Sequence, residues 1–479
     1  MNLLPLYHRL PVHLRAAAAS LRGYQLQWWR YGPGSERLVV EALDRETWTK
    51  VQWDKWQQER LTYILNRAAT QVPYYRDYWT KRQLEGHRSE WENLANWPIL
   101  EKETIRSQPL QFLAEDANPR RMFYEHTSGT TGKPLDLWFS RRTVQASYAL
   151  MEARWRRWHG VNRHTRWAIF GGQLVTPARQ RKPPFWIWNQ GLKQLYFSSY
   201  HLAPDLIPHY VEALHSFQPE YLVGYTSSLY AVAIEVLRSG LSLPTLRVAV
   251  TNAEPVYDYQ RQAIADAFHC PVRETYGMCE NVVNASECEA GSLHLWPDAS
   301  VLEVVEGTEP VAPGRSGEFI GTGLLNLDMP LIRYRVGDRG AFPQNQTPCR
   351  CGRSLPVLAT VEGRNDDVLY TPNGTRIGRL DPVFKANLPI REAQIIQTHL
   401  NRFTVRYVPV GSLTASDAQL LVSRLQERLG EVQVTLEALA DIPRTGNGKF
   451  RAVICNLPAL DIEWLQQGNH VRYKRGSKD

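Results

Sequence analysis

Predicted strands and helices alternate through the middle of this sequence, and that alternation constrains the fold more than any other feature. Short apolar segments are separated by longer amphipathic segments and by turn residues, which predicts a parallel sheet covered by helices. In such sheets, ligands bind where the carboxyl ends of the strands meet the loops. The predicted elements are a helix from Asp205 to Phe217, a strand at 221–225, a helix at 227–239, a strand at 246–252, a helix at 256–269 and a strand at 271–277.

The pattern changes on both sides of this region. Residues 1–70 are predicted to be helical, and Pro73 ends that run. After residue 363 the sequence predicts a small α+β unit, whose helix opens with a capping box of Ser416 and Gln419 and ends at Gly430. The fold class is therefore α/β, with parallel and mixed sheets and covering helices in a large N-terminal domain. The expected parts are a helical extension packed on the body (1–70), a large domain (71–363) and a small C-terminal domain (364–479).

Composition is that of an ordinary globular chain, with 43% hydrophobic and 22% charged residues. The net charge of +8 is spread over 479 residues, so it does not indicate a nucleic-acid partner. No apolar run reaches the ~18 residues of a membrane span, and no secretory signal is visible, so we expect a cytoplasmic protein. The basic, aromatic start of the chain allows two interpretations of the predicted N-terminal helix. A helix that packs on the body through its apolar side is favoured over one that lies on an anionic membrane surface, such as the inner membrane.

A short segment with glycines, hydroxyl residues and a lysine predicts a loop around an anion. Backbone N–H groups and hydroxyls can donate to phosphate oxygens, and a lysine adds a positive charge. The order of residues differs from that of a Walker A loop. A surface turn without a ligand is the alternative. The segment consists of Thr127, Ser128, Gly129, Thr130, Thr131, Gly132 and Lys133.

Further segments add the parts of a nucleotide site. Tyr276 and Gly277 follow a predicted strand and could hold a flat base, and Glu280 could bind Mg²⁺ beside phosphates. Asp338 lies in a turn after a strand, where a carboxylate can accept both hydroxyls of a ribose. Lys449 lies in a second glycine-rich loop, in the small domain. Each alone is better explained by a plain turn; together, and in this order, they indicate a site.

These motifs resemble those of the adenylate-forming (acyl-activating) superfamily. TSGTTGKP, YGMCE, YRVGD, EGRNDD and PRTGNGK occur in this order, and the resemblance covers about residues 60–455. The segments VPYYRDYW, PLIRYRVGD and CRCGR are similar to the phenylacetate–CoA ligase-like branch, which includes the CapK-type proteins of capsular polysaccharide clusters. The resemblance implies an adenylate-forming fold with a mobile C-terminal domain.

The resemblance also implies roles for individual residues. The 127–133 loop would hold the ATP phosphates, Tyr276 and Gly277 would flank the adenine, and Glu280 would bind Mg²⁺. Asp338 would bind the ribose, and Lys449 would lie beside the α-phosphate. The remaining implied residues are Asn252, Ala253 and Glu254 beside the adenine, Arg364 at the ribose or phosphate, and Asp366 as the hinge of the small domain.

The implied reaction joins a carboxylic acid to ATP, giving an acyl-adenylate and pyrophosphate, and then transfers the acyl group to coenzyme A. Transfer to an amine is one alternative, and a nucleotide-binding scaffold without activity is another. The acyl pocket is assigned to Tyr225, Thr226 and His126, although His126 fits a plain turn nearly as well. The acid, the acceptor and the oligomeric state stay open.

Cysteine and histidine spacing suggests a second metal. Some members of the resembling branch carry a small structural zinc site at such positions, and Zn²⁺ prefers four sulfur or nitrogen ligands. The expected ligands are Cys288, His294, Cys349 and Cys351, with Cys279 as the substitute for the fourth. Ordinary reduced cysteines are the alternative.

Overall fold

The computed structural model describes residues 4–86, 90–126, 135–177, 180–364, 369–371, 376–377, 388–445, 450–458 and 461. The chain forms two compact units, Met1–Val361 and Glu362–Asp479. In the described part of the chain, no helix is long and apolar enough to cross a membrane. The α-helices are α1 (Leu4–Arg9), α2 (Val12–Arg30), α3 (Ser35–Arg45), α4 (Lys50–Gln71), α5 (Pro73–Leu84), α6 (Lys102–Ser107), α7 (Arg141–Met151), α8 (Ile207–Phe217), α9 (Thr226–Ser239), α10 (Asp258–Phe268) and α11 (Ala415–Leu429).

The first unit is built on a nine-stranded mixed sheet in the order β15-β10-β9-β8-β7-β6-β3-β5-β4. Its centre, from β5 through β8, is parallel, as the alternating pattern predicts, whereas both ends are antiparallel. Apolar side chains from α8, α9 and α10 cover one face of the parallel strands. Its strands are β3 (Trp167–Gly171), β4 (Trp186–Asn189), β5 (Gln194–Ser198), β6 (Tyr221–Tyr225), β7 (Val248–Asn252), β8 (Val272–Gly277), β9 (Asn284–Glu287), β10 (Leu293–Leu295) and β15 (Val357–Leu358).

A five-stranded sheet, ordered β12-β11-β13-β14-β16, follows in the chain, and the hairpin β1–β2 flanks the 127–134 segment. Because β1 and β2 pair with His126 opposite Asp136, both ends of that segment are held together. The chain passes from the first unit to the second within β16. These strands are β1 (Phe123–His126), β2 (Asp136–Phe139), β11 (Ser300–Glu306), β12 (Glu309–Pro310), β13 (Gly317–Gly323), β14 (Tyr334–Ala341) and β16 (Thr360–Arg364).

The second unit is an α+β domain, as the sequence predicts. Its four-stranded sheet has the order β21-β20-β19-β22, and α11 contributes Leu421, Leu425 and Leu429 to its core. The predicted capping box at Ser416 is wrong: Thr414 caps α11 and pairs with Asp417, because the helix begins two residues earlier. The strands are β17 (Leu369–Tyr370), β18 (Arg376–Ile377), β19 (Ile390–His399), β20 (Arg402–Pro409), β21 (Gln433–Ala438) and β22 (Val453–Cys455).

The N-terminal helix α2 packs against the rest of the first unit. Its backbone closely approaches the connection between β4 and β5, where a Cβ on Gly191 would lie 2.3 Å from the Tyr24 nitrogen. A Cβ on Gly23 would lie 1.9 Å from Asn189 Oδ1. Two glycines are therefore needed to bring these two backbone segments together.

Candidate active site

The predicted base-binding and acyl-binding residues meet at one edge of the large sheet. Strands β6, β7 and β8 are parallel and adjacent, and Tyr225 at the end of β6 is in register with Asn252 at the end of β7. Tyr276 and Gly277 end β8. The fold therefore brings together residues separated by about 25 positions in the sequence at the carboxyl edge, where open α/β sheets bind ligands.

The loop after β7 has the geometry of a binding loop. Ala253 has a positive φ of 63°, which is uncommon for a residue with a side chain. The Oδ1 atom of Asn252 is buried and has no hydrogen-bond partner among the described residues. A buried acceptor without a donor is costly, so this carbonyl oxygen has the right chemistry to accept a hydrogen from a bound ligand.

Glu254 organises the start of α9. Its carboxylate accepts hydrogen bonds from the backbone N–H of Ser227 at 2.7 Å and from the Ser227 hydroxyl at 3.0 Å. Thr226 is fully buried and donates its hydroxyl to the Glu254 carbonyl oxygen at 3.3 Å. Thr226 and Glu254 thus hold the two loops together.

Tyr225 is withdrawn from water, and this burial raises the pKa of its phenol to about 12. It lies near Tyr200, whose hydroxyl donates to the carbonyl oxygen of Gly172 at 3.0 Å. No local sequence pattern marks Tyr200, because only the parallel pairing of β5, β3 and β6 brings these segments into proximity.

A short hydrogen bond joins the predicted base-binding and ribose-binding residues. The Tyr276 hydroxyl donates to Oδ2 of Asp338 at 2.6 Å, although 62 residues separate them in the sequence. Asp338 lies on β14 directly after Gly337, whose φ is +89°. This bond joins the edge of the large sheet to the second sheet and orients the Asp338 carboxylate.

Glu280, the predicted Mg²⁺ ligand, is buried with two partners that were not predicted. The Tyr334 hydroxyl donates to its Oε1 atom at 2.9 Å, and the Lys102 ammonium lies 3.6 Å from the same atom. Lys102 starts α6, far from Glu280 in the sequence, so no local pattern could have paired them.

A second carboxylate adds negative charge beside Glu280. The pKa of Glu125 on β1 is raised, chiefly by partial desolvation of its carboxyl, although the residue as a whole is exposed, and also because Glu280 repels its charge. Arg30 and His126 oppose this shift. Two carboxylates that repel each other favour a cation nearby.

A cavity of about 70 Å³ adjoins this region. Its walls are aromatic and polar, but its volume is well below the roughly 300–1,000 Å³ of ordinary small-molecule pockets. Its lining includes Trp29, Arg30, Phe123, Glu125, Ser147, Tyr148 and Asn281.

Several predicted site residues lie outside the described residues. These are the complete 127–133 loop, Asp366 and Lys449. Arg364 ends β16. His126, which ends β1, is exposed.

The four expected zinc ligands are brought together. The ligand atoms of Cys288, His294, Cys349 and Cys351 all lie within 4.8 Å of one another. Cys288 Sγ lies 3.7 Å from Cys349 Sγ, and Cys351 Sγ lies 3.3 Å from His294 Nε2. A tetrahedral Zn²⁺ with Zn–S bonds of about 2.3 Å separates its sulfur ligands by about 3.8 Å. The cluster therefore fits a zinc ion, and the substitute ligand Cys279, which is exposed, is not one of its members.

The surroundings of this cluster also suit a metal. His294 contacts the carbonyl oxygen of Leu355 through Nδ1 at 2.9 Å, which leaves Nε2 facing the sulfur atoms. Although burial raises the pKa of the Cys349 thiol, hydrogen bonding to Ser292 and to Cys351 outweighs it and lowers that pKa to about 6. A thiolate is the form that binds metal, whereas burial raises the pKa of the Cys288 and Cys351 thiols.

Comparisons with known proteins agree with this architecture. A 2-hydroxyisobutyryl-CoA ligase in its postadenylation state has a similar fold, with a TM-score of 0.66 at 21% identity, over 88% of this chain and 93% of that one. Its thioesterification state gives a TM-score of 0.52.

Sequence similarity is found to CapK-type and phenylacetate–CoA ligase-like proteins. Residues 369–456 match the CapK C-terminal domain family. Protein CapK of Staphylococcus aureus is 26% identical over 407 residues, which is 84% of this chain and 89% of that protein. A phenylacetate–CoA ligase of Thermus thermophilus is 26% identical over 350 residues, covering 69% and 73% of the two chains. The predicted resemblance to the phenylacetate–CoA ligase-like and CapK-type branch of the adenylate-forming superfamily is confirmed.

Proposed function

We propose that this chain is an ATP-dependent, AMP-forming acid ligase that makes an acyl-adenylate and passes its acyl group to coenzyme A. The observation that carries the proposal is the set of residues at the carboxyl edge of the sheet. It combines the Tyr276 ring, the Asp338 carboxylate on β14 that accepts a hydrogen bond from the Tyr276 hydroxyl, and the Asn252 Oδ1 atom, which has no hydrogen-bond partner among the described residues. These three are suited to a ribose, a purine face and a purine amino group. Similarity to phenylacetate–CoA ligases supports the thiol acceptor.

In the first step, a carboxylate oxygen of the acid attacks the α-phosphorus of ATP. The bond from that phosphorus to the bridging oxygen breaks, and pyrophosphate leaves with the electron pair. Two anions must approach each other, so cations are needed. Mg²⁺, when bound, would supply part of this charge, and Glu280 would hold it next to Glu125. Lys133 and Lys449 are proposed to neutralise the phosphates.

In the second step, the thiolate of coenzyme A attacks the acyl carbon, and AMP leaves. By the implied roles, Asp366 is the pivot of a domain rotation that withdraws Lys449 before thiol attack, and Arg364 contacts the ribose or phosphate. Tyr225 and Thr226 are proposed to line the acyl pocket with His126. An amine on a sugar or amino acid is the alternative acceptor, and surface-polysaccharide synthesis is its proposed setting.

Carboxylate-dependent exchange of labelled pyrophosphate into ATP tests the first step. We expect exchange with at least one acid from a panel of aryl, hydroxy and short alkyl acids, and none without acid. Asp338→Asn should raise the ATP concentration required, whereas the exposed control Asp205→Asn should not. Absence of exchange with every acid, with ATP bound normally, would favour a nucleotide-binding scaffold.

The acceptor is tested separately once an active acid is known. The acyl-adenylate reaction is repeated with coenzyme A, with amino sugars and with amino acids, and products are identified by mass. A thioester as the fastest product supports the proposal, whereas faster amide formation would replace coenzyme A by an amine.

We also propose a structural zinc ion held by Cys288, His294, Cys349 and Cys351. When bound, it would cross-link the β9–β10 region to the segment before β15. Because all four ligands are protein groups, no open position remains for catalysis. The metal would therefore stabilise the edge of the large sheet without taking part in adenylation.

A further inference from the structure

Helix α2 carries an apolar stripe on its solvent side. Leu14, Leu21, Tyr24 and Trp28 are 45%, 72%, 54% and 54% exposed. They are seven, three and four residues apart, so they lie on one face of the helix. Exposed single apolar residues are ordinary, but an aligned row of them on one helix marks an interaction surface.

The opposite side of α2 already packs against the rest of the first unit, so the helix cannot rotate to bury the stripe. Gly23 faces Asn189, and the Ser20 hydroxyl accepts a hydrogen bond from the backbone N–H of Gln190 at 3.0 Å. Arg15 is buried and donates to the carbonyl oxygen of Val175 at 3.4 Å. Polar and backbone contacts thus fix the rotation of the helix about its axis.

Within residues 1–35, every formal charge is positive. Residues 1–35 contain no Asp or Glu and four arginines, of which Arg9 and Arg22 are exposed. At the end of the stripe, the Arg141 guanidinium lies 4.0 Å above the Trp28 ring and donates to the Trp28 carbonyl oxygen. These cations favour a negatively charged partner, whereas a second copy of this helix would meet the stripe with like charge.

We propose that α2, with Arg9 beside it, is a docking surface for an anionic lipid bilayer. A single helix presents a convex row rather than a groove, so its apolar side chains can enter the acyl boundary of a membrane together. Tyr24 and Trp28 are the aromatic types that favour that boundary, and exposed arginines can contact the lipid phosphates. The enzyme would thereby work at a membrane surface without crossing it.

Vesicle flotation of the full-length protein tests the surface. Binding is expected to vesicles of equal parts phosphatidylglycerol and phosphatidylcholine, to fall at high salt, and to be weak with phosphatidylcholine alone. Leu21→Glu should lower the partition coefficient at least about tenfold, since it removes one large apolar anchor. Arg22→Glu should lower it at least about fivefold, the effect of roughly one cation near an anionic surface.

Matched controls separate the stripe from general surface effects. Val51 is 76% exposed on α4, and Arg402 is exposed in the second unit. Val51→Glu and Arg402→Glu should each leave partitioning within about twofold of the unchanged protein. All four variants alter exposed side chains, and thermal unfolding checks that they remain folded.

Three results would overturn the proposal. One is the absence of binding to anionic vesicles at low salt. Another is an equal loss of binding in Leu21→Glu and Val51→Glu. The third is a dimer, or a complex with an acidic protein, that Leu21→Glu disrupts while vesicle binding is absent. Pyrophosphate exchange in the same variants is expected to be unchanged, so this test is independent of the proposed reaction.

Discussion

Replacing Tyr276 by phenylalanine tests whether Asp338 serves a nucleotide. The substitution removes one hydroxyl and keeps the ring, whose centroid lies 5.9 Å from that of Phe319. The hydroxyl makes a 2.6 Å bond to a carboxylate. Bonds of this charge-assisted type contribute about 1.5–3 kcal/mol net.

That free energy can appear in folding or in ligand binding. Tyr276 and Asp338 are both half-buried, and their bond joins β8 to β14. If the bond orients Asp338 toward a ribose, we expect about 1.4 kcal/mol of it to appear in binding, a tenfold increase in the Kd for ATP. Asp338→Asn should have a larger effect, because the ribose also loses a charged acceptor. The double variant should lose less than the sum, since both changes remove the same bond.

Calorimetric titration with ATP, in the absence of acid, measures these values, and thermal unfolding measures the share that belongs to stability. Tyr63→Phe, at a residue 53% exposed on α4, is the control and should bind ATP like the unchanged protein. Unchanged ATP binding in Tyr276→Phe would refute the reasoning. The reasoning would also be refuted if the effects of the two single changes added within about 0.5 kcal/mol in the double variant. The bond between Tyr276 and Asp338 would then serve only to join the two sheets.

Three further predictions concern charge and metal. Lys449→Ala should lower pyrophosphate exchange on the order of 10²–10³-fold, yet affect thioester formation from supplied acyl-adenylate much less; equal losses would contradict the rotating-domain mechanism. Cys288→Ser should abolish zinc binding measured by metal analysis after dialysis, whereas Cys455→Ser should retain it; zinc retained by both would remove Cys288 from the site. Burial lowers the pKa of His159 to about 4, so the unfolded state binds more protons between pH 6.5 and 4. The free energy of unfolding should therefore fall by up to roughly 3 kcal/mol as pH drops through that window. In denaturant titrations, His159→Gln should lack this contribution to the pH dependence. A pH profile identical to that of the unchanged protein would exclude His159 as its source.

The parallel strands were predictable from the sequence because each is a short apolar segment followed by a turn. The strand predicted at 221–225 has the same bounds as β6, and the one predicted at 246–252 starts two residues before β7. The starts of helices were predicted less accurately than the strands. Asp205 does not cap α8, which Leu206 precedes, and its carboxylate pairs with Arg181 at 3.4 Å instead. Polar residues near a helix start offer several caps of similar energy.

The candidate site was predictable only where a motif lies on one strand or loop. Tyr276 and Asp338 were assigned separately, and their direct bond was not foreseen. Lys102 and Tyr334 were missed because their contacts with Glu280 span 178 and 54 residues, and no local pattern encodes them. The clustering of Cys288, His294, Cys349 and Cys351 was foreseen because few side chains bind zinc, so Cys-x-Cys and a histidine narrow the choice of candidates; zinc binding itself stays a prediction.

Because the backbone segments at Gly23 and Gly191 are in close contact, the N-terminal segment is an integral part of the folded unit. A truncated protein lacking the first helices would leave Asn189, Gln190 and the carbonyl of Val175 uncovered, and it would test the integrity of the sheet rather than the purpose of the segment. Engineering of the amino terminus, including affinity tags and fusions, should therefore extend the chain outward from its first residue and leave every turn of α2 in place.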